Sequence, residues 1–203
     1  WEAIAYSYDY VSNDIEYIKK GASFNKTKLF LGPGTGLGAS ISVNDIVLPT
    51  EIGNTFHSYL SLQKNYEFES QKTLVLEDLI SGSGISNMYE IKTNHKISSE
   101  EVLKKSRQDD PQAKIIINGF IKSLAETLSE LAMTFMPGDG IFLAGNLIRN
   151  IYDDINKENF NETFLSNRKN VHKEMLDMIT IGVIMKERTP LYGNLKLYQI
   201  INK

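Results

Sequence analysis

The stretch that decides the fold is LFLGPGTGLG at residues 29–38, followed without a break by ASISV at residues 39–43. It places an apolar strand and a second, alternating strand on either side of a glycine-rich turn. Glycines at alternate positions let a backbone approach an anion closely, and Thr35 adds a hydroxyl donor among them. The pattern predicts a phosphate-binding loop, for which an ordinary tight hairpin turn is the alternative.

Two better-known phosphate motifs do not fit this stretch. A Walker loop needs a Lys and a Ser or Thr after its last glycine, and a dinucleotide fingerprint needs a helix after its glycines. Here Gly38 leads into a predicted strand. The predicted loop therefore joins two strands.

The composition describes a globular chain with little electrostatic bias. Its 203 residues are 41% hydrophobic and 23% charged, with a formal net charge of -3 and no cysteine. Nucleic acids and anionic membranes favour basic faces, so we expect neither as a partner. The lack of cysteine excludes disulfides and thiolate metal sites. The sequence contains neither a secretory signal pattern nor an apolar run of membrane-spanning length, so we expect a cytoplasmic location.

The beginning of the chain predicts a helix that lacks its start. Apolar residues from Ile4 to Ile18 recur at helical spacing. Trp1 already lies inside this pattern, without an initiator Met or a cap. We therefore expect a further segment upstream of Trp1.

Three antiparallel strands are predicted next. They span residues 28–31, 38–43 and 45–48, with Asn44-Asp45 as the tight turn between the last two. Residues 50–54 follow as a loop at a strand end, and such loops commonly carry binding residues.

The rest of the chain mixes predicted helices with buried strands, which indicates an α/β fold. The longest predicted helix, residues 112–136, has a wide apolar stripe at helical spacing. An apolar strand at residues 140–144 runs into Gly145-Asn146, which opens another helix. The remaining predicted elements are a partly helical region at residues 58–71, a strand or short helix at residues 73–80, a break at residues 81–84 before a helix to residue 91, a helix from Ser98 to about residue 107, helical pieces at residues 161–167 and 171–178, a strand at residues 179–185 and a last helix from Thr189 to residue 200.

Three polar side chains are candidate ligands for a sugar. Glu51 and Glu77 adjoin glycines or small residues at strand or loop ends, where a carboxylate can accept hydrogen bonds from several hydroxyls. Asn54 offers an amide that both donates and accepts. The alternative for each carboxylate is a solvated surface residue, and the alternative for Asn54 is a simple turn residue.

The histidines do not form a metal motif. His95 and His172 lie in polar stretches, and the chain has neither cysteines nor histidines at paired spacing. Zinc sites need such clusters. We therefore predict surface positions for both histidines and no metal ion held by protein ligands.

Five motifs together resemble the bacterial glucokinase family. In chain order they are GPGTGLG at residues 32–38, PTEIG at residues 49–53, EDLISGSG at residues 77–84 with Asn87 and Tyr89 after it, GIFLAGN at residues 140–146 and PLYG at residues 190–193. The resemblance covers essentially the whole chain, and five ordered motifs are far more specific than any one of them.

The resemblance implies an actin-like, ribonuclease H-like α/β fold with a mixed sheet flanked by helices. This chain would be the large C-terminal domain of a two-domain sugar kinase. ATP, with Mg²⁺ held on its phosphates, would pass its γ-phosphoryl group to the 6-hydroxyl of glucose or a similar hexose. Residues 1–24 would form a cleft helix and connector from the small domain, residues 25–189 the large domain, and residues 190–203 a helix that returns to the small domain.

The same resemblance gives roles to individual residues. Nucleotide-binding roles fall on the phosphate loop and on the turn before a later helix, namely on Gly34, Thr35, Gly36, Gly145 and Asn146. Sugar-binding roles fall on Glu51, Asn54 and Glu77.

Two departures from the family pattern affect these expectations. Family members usually read Glu-Gly-Gly-His where this chain reads Glu51-Ile52-Gly53-Asn54, so an amide replaces a sugar-contacting imidazole. His57 stands three positions too late to take its place. The family's first phosphate loop and its Asn-Asp pair, whose Asp is the general base, are absent, and that pair would stand immediately before Trp1. Because phosphoryl transfer needs such a carboxylate, we expect no catalytic residue in this chain and no activity from the chain alone.

Two alternatives to a hexose kinase remain. The related repressor and sugar-kinase group usually carries a cysteine-rich zinc motif near the sugar, which this chain lacks. A sugar-binding or regulatory module would keep the domain but have no active base. The family resemblance also implies a homodimer formed through the large domain.

Overall fold

The computed structural model describes residues 1–55, 60–68 and 75–202. Its described strands form one six-stranded sheet with the spatial order β1-β6-β5-β2-β3-β4. The strands are β1 (Ile15–Lys19), β2 (Thr27–Pro33), β3 (Leu37–Val43), β4 (Ile46–Thr50), β5 (Gly140–Leu143) and β6 (Ile181–Ile184).

The sheet is mixed. β2, β3 and β4 form an antiparallel meander, whereas β5 lies parallel to both β2 and β6, and β1 pairs antiparallel with β6. Asn44 and Asp45 connect β3 to β4 with φ angles of 50° and 66°. Two consecutive positive φ angles are typical of a type I′ hairpin turn. The predicted meander and its turn are confirmed.

Helices lie on both faces of this sheet. They are α1 (Glu2–Tyr6), α2 (Tyr8–Val11), α3 (Leu60–Asn65), α4 (Gly82–Thr93), α5 (Ser99–Arg107), α6 (Pro111–Phe135), α7 (Asn146–Ile151), α8 (Lys157–Leu165), α9 (Asn170–Asp177) and α10 (Thr189–Ile201). Three short 3₁₀ turns complete the described elements, at Ile52–Asn54, Leu76–Asp78 and Tyr152–Asp154.

Side-chain alternation along the strands divides the core between the two faces. Phe30 and Phe142 point to the face covered by α1 and α2, where their ring centroids lie 5.6 Å apart. Leu29, Leu31 and Leu143 point to the opposite face and join the larger core, to which α6 contributes most. The result is a three-layer α/β domain, as the sequence predicts.

The longest helix is confirmed almost to the residue. α6 spans 25 residues. The carboxylate of Asp110 accepts a hydrogen bond from the Ala113 amide at 2.8 Å, and Pro111 occupies the first turn, where its missing N–H costs nothing. Met136 ends the helix in the left-handed conformation with φ 49°. Local capping chemistry therefore sets both ends.

The predicted opening helix is wrong beyond Val11. Ile15 and Ile18 lie in β1, which pairs with β6. Their spacing fits a helix, but β-branched and aromatic residues also suit a strand, and an apolar neighbouring strand was available to pair with them. Sequence periodicity alone could not show that neighbour.

The predicted break at residues 81–84 is also wrong. Ser81 caps α4, because its Oγ accepts a hydrogen bond from the Gly84 amide at 2.9 Å, and the two glycines lie in the first turn of the helix. The residues outside the described ranges include His57, residues 58–59 and 69–71 of the predicted partly helical region, and residues 73–74 of the predicted strand or short helix. No helix in the described part of the chain is long and apolar enough to span a membrane.

Candidate functional site

The tip of the β2–β3 hairpin is the centre of the candidate site. The Gly34 amide donates a hydrogen bond to the Gly36 carbonyl at 2.8 Å, which closes the tip, and Thr35 is exposed at its apex. A Cβ built on Gly34 would meet no atom within 4 Å. The backbone therefore faces open space at this point, as an anion-binding loop requires.

Glu77 lies directly against this hairpin. Its Oε2 accepts a hydrogen bond from the Leu37 amide at 3.2 Å, across 40 residues of sequence. A Cβ on Gly36 would lie only 2.6 Å from the same oxygen. The glycine thus makes room for the carboxylate, and the structure brings the predicted phosphate loop and one predicted sugar ligand into contact.

Tyr66 fixes the segment that carries Glu77. Its side chain is fully buried, and its hydroxyl donates a hydrogen bond to the Leu79 carbonyl at 2.6 Å. Burial raises the pKa of this tyrosine, so the hydroxyl keeps its proton and remains a donor. The buried Tyr66 therefore anchors the chain at Leu79, two residues after Glu77.

Asn54 ends the neighbouring Ile52–Asn54 turn, and Glu51 immediately precedes this turn. The Asn54 amide is 3.4 Å from Glu51 Oε2, and both side chains are exposed. Gly53 between them is buried so closely against the Leu37 carbonyl that a Cβ would overlap it. This turn packs beside the Leu76–Asp78 turn. All three predicted sugar ligands therefore lie in, or directly before, two adjacent turns that both contact Leu37.

A cavity of about 520 Å³ borders the hairpin tip at Gly34 and Thr35, and the residues that line it do not include Glu77 or the Ile52–Asn54 turn. Its walls are the tip and the first turns of α4, α5 and α7, including Thr35, Ser83, Asn87, Lys96, Ser99 and Asn146. The Gly82 amide at the start of α4 donates a hydrogen bond to the Gly34 carbonyl at 2.7 Å and so joins the helix to the tip. Free N–H groups at the starts of α4 and α5 give this wall of the cavity a partial positive charge, which the Glu100 carboxylate in the first turn of α5 opposes.

Gly145 brings Asn146 to this cavity. Its φ of 114° lies in a region that side-chain-bearing residues rarely adopt, and it turns the chain sharply from β5 into α7. A Cβ on Gly145 would come within 3.4 Å of the Pro33 carbonyl in β2. Asn146 and Thr35, which are more than a hundred residues apart in the chain, therefore border one cavity.

Several cavity residues are not among the predicted ligands. Ser83 and Ser99 stand at helix starts, and the small residues around them are a sequence signal that could have indicated this position. Lys96 has no such signal, because it lies in a connector between two helices; its Nζ is 3.4 Å from Glu90 Oε2. Within the described residues that line the cavity, it is the only cation.

The described residues offer no group of three or more histidines or carboxylates placed to hold a metal ion. His95 is exposed in the connector before α5, and His172 is half-buried on α9.

The described residues form a three-layer α/β domain of the actin-like type, in which the tip of a glycine-rich hairpin lies next to both a carboxylate and a polar cavity. A family model described as "Glucokinase" matches residues 1–199. The chain belongs to the glucokinase family.

Curated relatives match over most of this chain. A glucokinase-like protein of Xylella fastidiosa (strain Temecula1 / ATCC 700964) is 26% identical over 186 residues, which cover 84% of this chain and 55% of the relative. The glucokinase of Helicobacter acinonychis (strain Sheeba) is 27% identical over 192 residues, which cover 83% of this chain and 56% of the relative. The chain therefore spans about half the length of the relatives it matches.

Solved structures show the same fold. A glucokinase from an Antarctic psychrotroph superimposes with a TM-score of 0.81 at 22% identity, over 98% of this chain and 66% of its own. The glucokinase of Balamuthia mandrillaris, solved in complex with glucose, gives 0.78 at 18% identity over 98% and 64%. A ROK family transcriptional regulator, a homolog of the E. coli MLC protein, gives 0.63 at 17% identity over 100% and 53%.

Proposed function

We propose that this chain is the nucleotide- and sugar-binding part of a hexose kinase that transfers the γ-phosphoryl group of ATP to the 6-hydroxyl of glucose. Membership of the glucokinase family supports a sugar kinase. The assignment of glucose rests on the relatives described as glucokinases and on the three candidate ligands of the two turns.

One observation carries the proposal. The Leu37 amide and Glu77 Oε2 are joined by a 3.2 Å hydrogen bond, and the cavity begins at Thr35, two residues before Leu37. A phosphate tail in the cavity and a sugar hydroxyl on Glu77 would then be neighbours across the hairpin tip. Phosphoryl transfer depends on such positioning of donor and acceptor.

The nucleotide would bind on the cavity side. The tip residues Gly34, Thr35 and Gly36 would contact its phosphates, and Gly145 and Asn146 would lie against its adenosine. Mg²⁺ would arrive on the phosphates, where it neutralises charge during transfer. The open space beside Gly34 and the starts of α4 and α5 support this assignment.

The sugar would bind on the other side. Glu77 and Glu51 would accept hydrogen bonds from its hydroxyls, and the amide of Asn54 would donate to or accept from another. Charged acceptors give strong and directional bonds, so two of them would select the arrangement of hydroxyls. The contact between the turns that carry these residues supports their joint role.

Catalysis by the whole protein would need a general base that we assign to a segment preceding Trp1 in the small domain. We therefore propose that the 203-residue chain alone binds ligands without catalysing.

In the same proposal, residues 190–203 return to the small domain. The apolar side chains exposed on α10, among them Leu191, Leu195 and Tyr198, support that arrangement. The proposed dimer through the large domain can be tested by sedimentation.

A non-catalytic regulator is the second candidate, because a transcriptional regulator shares the fold. Cysteine is absent from this chain, which disfavours the zinc motif common in that group. The upstream sequence distinguishes the two. An Asn-Asp pair after a glycine-rich hairpin would indicate the kinase, and a helix-turn-helix would indicate the regulator.

Calorimetric titration of the 203-residue chain tests the proposal. We expect saturable binding of ADP with Mg²⁺, and binding of glucose that is tighter than that of mannose or glucosamine. A coupled assay for glucose 6-phosphate should detect no product from this chain. Product formation would contradict the assignment of the base, and a chain that bound neither ADP nor any hexose would contradict the function.

A further inference from the structure

The indole of Trp1 lies across the β2–β3 hairpin at the paired residues Gly32 and Gly38, which form the stem below its tip. Gly32 in β2 and Gly38 in β3 face each other directly in the strand register. A Cβ on Gly32 would overlap the six-membered ring of the indole, and a Cβ on Gly38 would overlap its five-membered ring. The Trp1 carbonyl also accepts a hydrogen bond at 3.2 Å from the Oγ of Ser40, which lies two residues after Gly38 on the same face of β3.

The indole explains why these two stem positions are glycines. Neither Gly32 nor Gly38 has a positive φ, so any residue could adopt their backbone conformation. The space that a side chain would occupy is filled by the ring of Trp1. Gly32 and Gly38 therefore make room for the indole. At the tip, Gly34 borders the cavity and Gly36 contacts Glu77.

The hairpin is thus held from both faces. On one face the indole covers Gly32 and Gly38; on the other, the side chain of Leu37 is buried in the larger core and its amide binds Glu77. Trp1 is also continuous with α1, since its carbonyl accepts a hydrogen bond from the Ile4 amide at 2.9 Å. Any tilt of the hairpin would therefore move the indole and the start of α1 with it.

We propose that Trp1 is a positioning residue for nucleotide binding, acting through the hairpin stem without touching the nucleotide. This inference rests on the proposed function of the cavity. The indole fixes the tilt of the hairpin, so that the amides of the tip are oriented before a phosphate arrives. A preorganised loop binds more tightly because less ordering remains to be done on binding.

Trp1 is the single tryptophan of the chain, so its emission reports on this contact alone. We expect ADP with Mg²⁺ to change the intrinsic fluorescence with the same midpoint as the calorimetric titration. Heat of binding without a change in emission would overturn this inference and leave the nucleotide site standing. If neither heat nor emission changed, the proposed function of the cavity would fail and this inference with it.

A double-mutant cycle separates positioning from general stability. Trp1→Ala and Gly38→Ala should each weaken ADP binding by about fivefold or more, a size typical of coupling between sites. Because both remove the same contact, the double variant should be no weaker than Trp1→Ala within about twofold. If the losses of ADP affinity in the two single variants multiplied in the double variant, the inference would be overturned.

Two further variants serve as controls. Trp1→Phe keeps an aromatic ring on the glycine pair and should restore most of the affinity. Tyr198→Ala removes another exposed aromatic residue, on α10, and should leave ADP affinity and the emission response unchanged. If Trp1→Ala does not fold, the fluorescence titration of the unsubstituted chain and the ADP affinity of Gly38→Ala still decide the question. Failure of Trp1→Phe to restore ADP affinity would count against positioning by an aromatic ring.

Discussion

The two sides of the hairpin tip are built by different means. On the cavity side the contacts are main-chain hydrogen bonds, from Gly34 to Gly36 at 2.8 Å and from Gly82 to Gly34 at 2.7 Å, and the walls are helix starts. On the sugar side the candidate ligands are the side chains of Asn54 and Glu77, each on a 3₁₀ turn of three residues, and of Glu51, which directly precedes the first of these turns.

This difference follows from the chemistry of the two ligands. A phosphate needs several N–H donors and a close approach, and glycine-rich backbone supplies both. A sugar needs acceptors at defined positions, which only side chains can supply. The cavity side should therefore tolerate changes at the turns, and the sugar side should respond to any change in how the turns pack on Leu37.

Gly53→Ala should have the largest effect, and it should act on the sugar side. Its Cβ would overlap the Leu37 carbonyl, and a backbone atom cannot rotate out of the way. We expect the free energy of unfolding to fall by about 3 kcal/mol, at the upper end of overpacking costs. Sugar affinity should fall as the Ile52–Asn54 turn shifts, while ADP affinity changes little. Urea denaturation and calorimetry measure these effects.

Gly34→Ala is the matched control on the cavity side. Its Cβ would enter open space, so the free energy of unfolding should stay within about 0.5 kcal/mol of the original. Here ADP affinity should fall, because the added methyl group lies where a phosphate would bind. Equal effects of the two substitutions on both ligands would show that the two sides are not separable.

The hairpin, α6 and the β5–α7 turn could be predicted because each is encoded locally. The hairpin has alternating strands, α6 has an apolar stripe and a cap at Asp110, and the β5–α7 turn has Gly145. Each of these signals lies within the element itself. β1 could not be predicted, because the side chains of Ile15 and Ile18 suit either a helix or a strand until β6 is known.

The candidate site divides in the same way. The tip glycines were identified from spacing, but the same spacing includes Gly32 and Gly38, whose neighbour is Trp1. No local pattern shows that Glu77 would bond to Leu37, 40 residues away, or that Lys96 would border the cavity. Contacts between distant segments required the fold.

Glu77→Gln should affect the sugar side alone, because it removes a charge and keeps the shape of the side chain. An amide is a weaker acceptor for sugar hydroxyls than a carboxylate, and hydrogen bonds to charged groups contribute about 1.5–3 kcal/mol. Glucose affinity should therefore fall by roughly ten- to a hundredfold, at similar ADP affinity. Calorimetry with both ligands measures this, and Glu158→Gln on α8 is the control for loss of an exposed carboxylate. Unchanged glucose affinity in Glu77→Gln would remove Glu77 from the sugar site.

Tyr66→Phe tests whether the core holds the Glu77 turn in place. It leaves the Leu79 carbonyl without its 2.6 Å donor in a buried position. Such a loss costs about 1–2 kcal/mol in the free energy of unfolding, and glucose affinity should fall slightly as the turn loosens. Tyr198→Phe removes an exposed hydroxyl and should change neither quantity. A Tyr66→Phe variant as stable as the original would mean that the turn is held by other contacts.

Asn54→His should give the smallest effect, because it exchanges one exposed hydrogen-bonding side chain for another. The imidazole is the residue that the resemblance to the glucokinase family implies at this position, and it reaches further than the amide. A single added hydrogen bond contributes about 0.5–1.5 kcal/mol, so glucose affinity should rise by about two- to tenfold. The gain should fall below about pH 6 as the imidazole binds a proton and can only donate, since a histidine ordinarily titrates near pH 6.5. Calorimetry with glucose at pH 5.5 and pH 8 measures both effects. An equal gain at the two pH values would mean that the ring contributes by packing alone, and no gain at either pH would mean that the sugar binds beyond its reach.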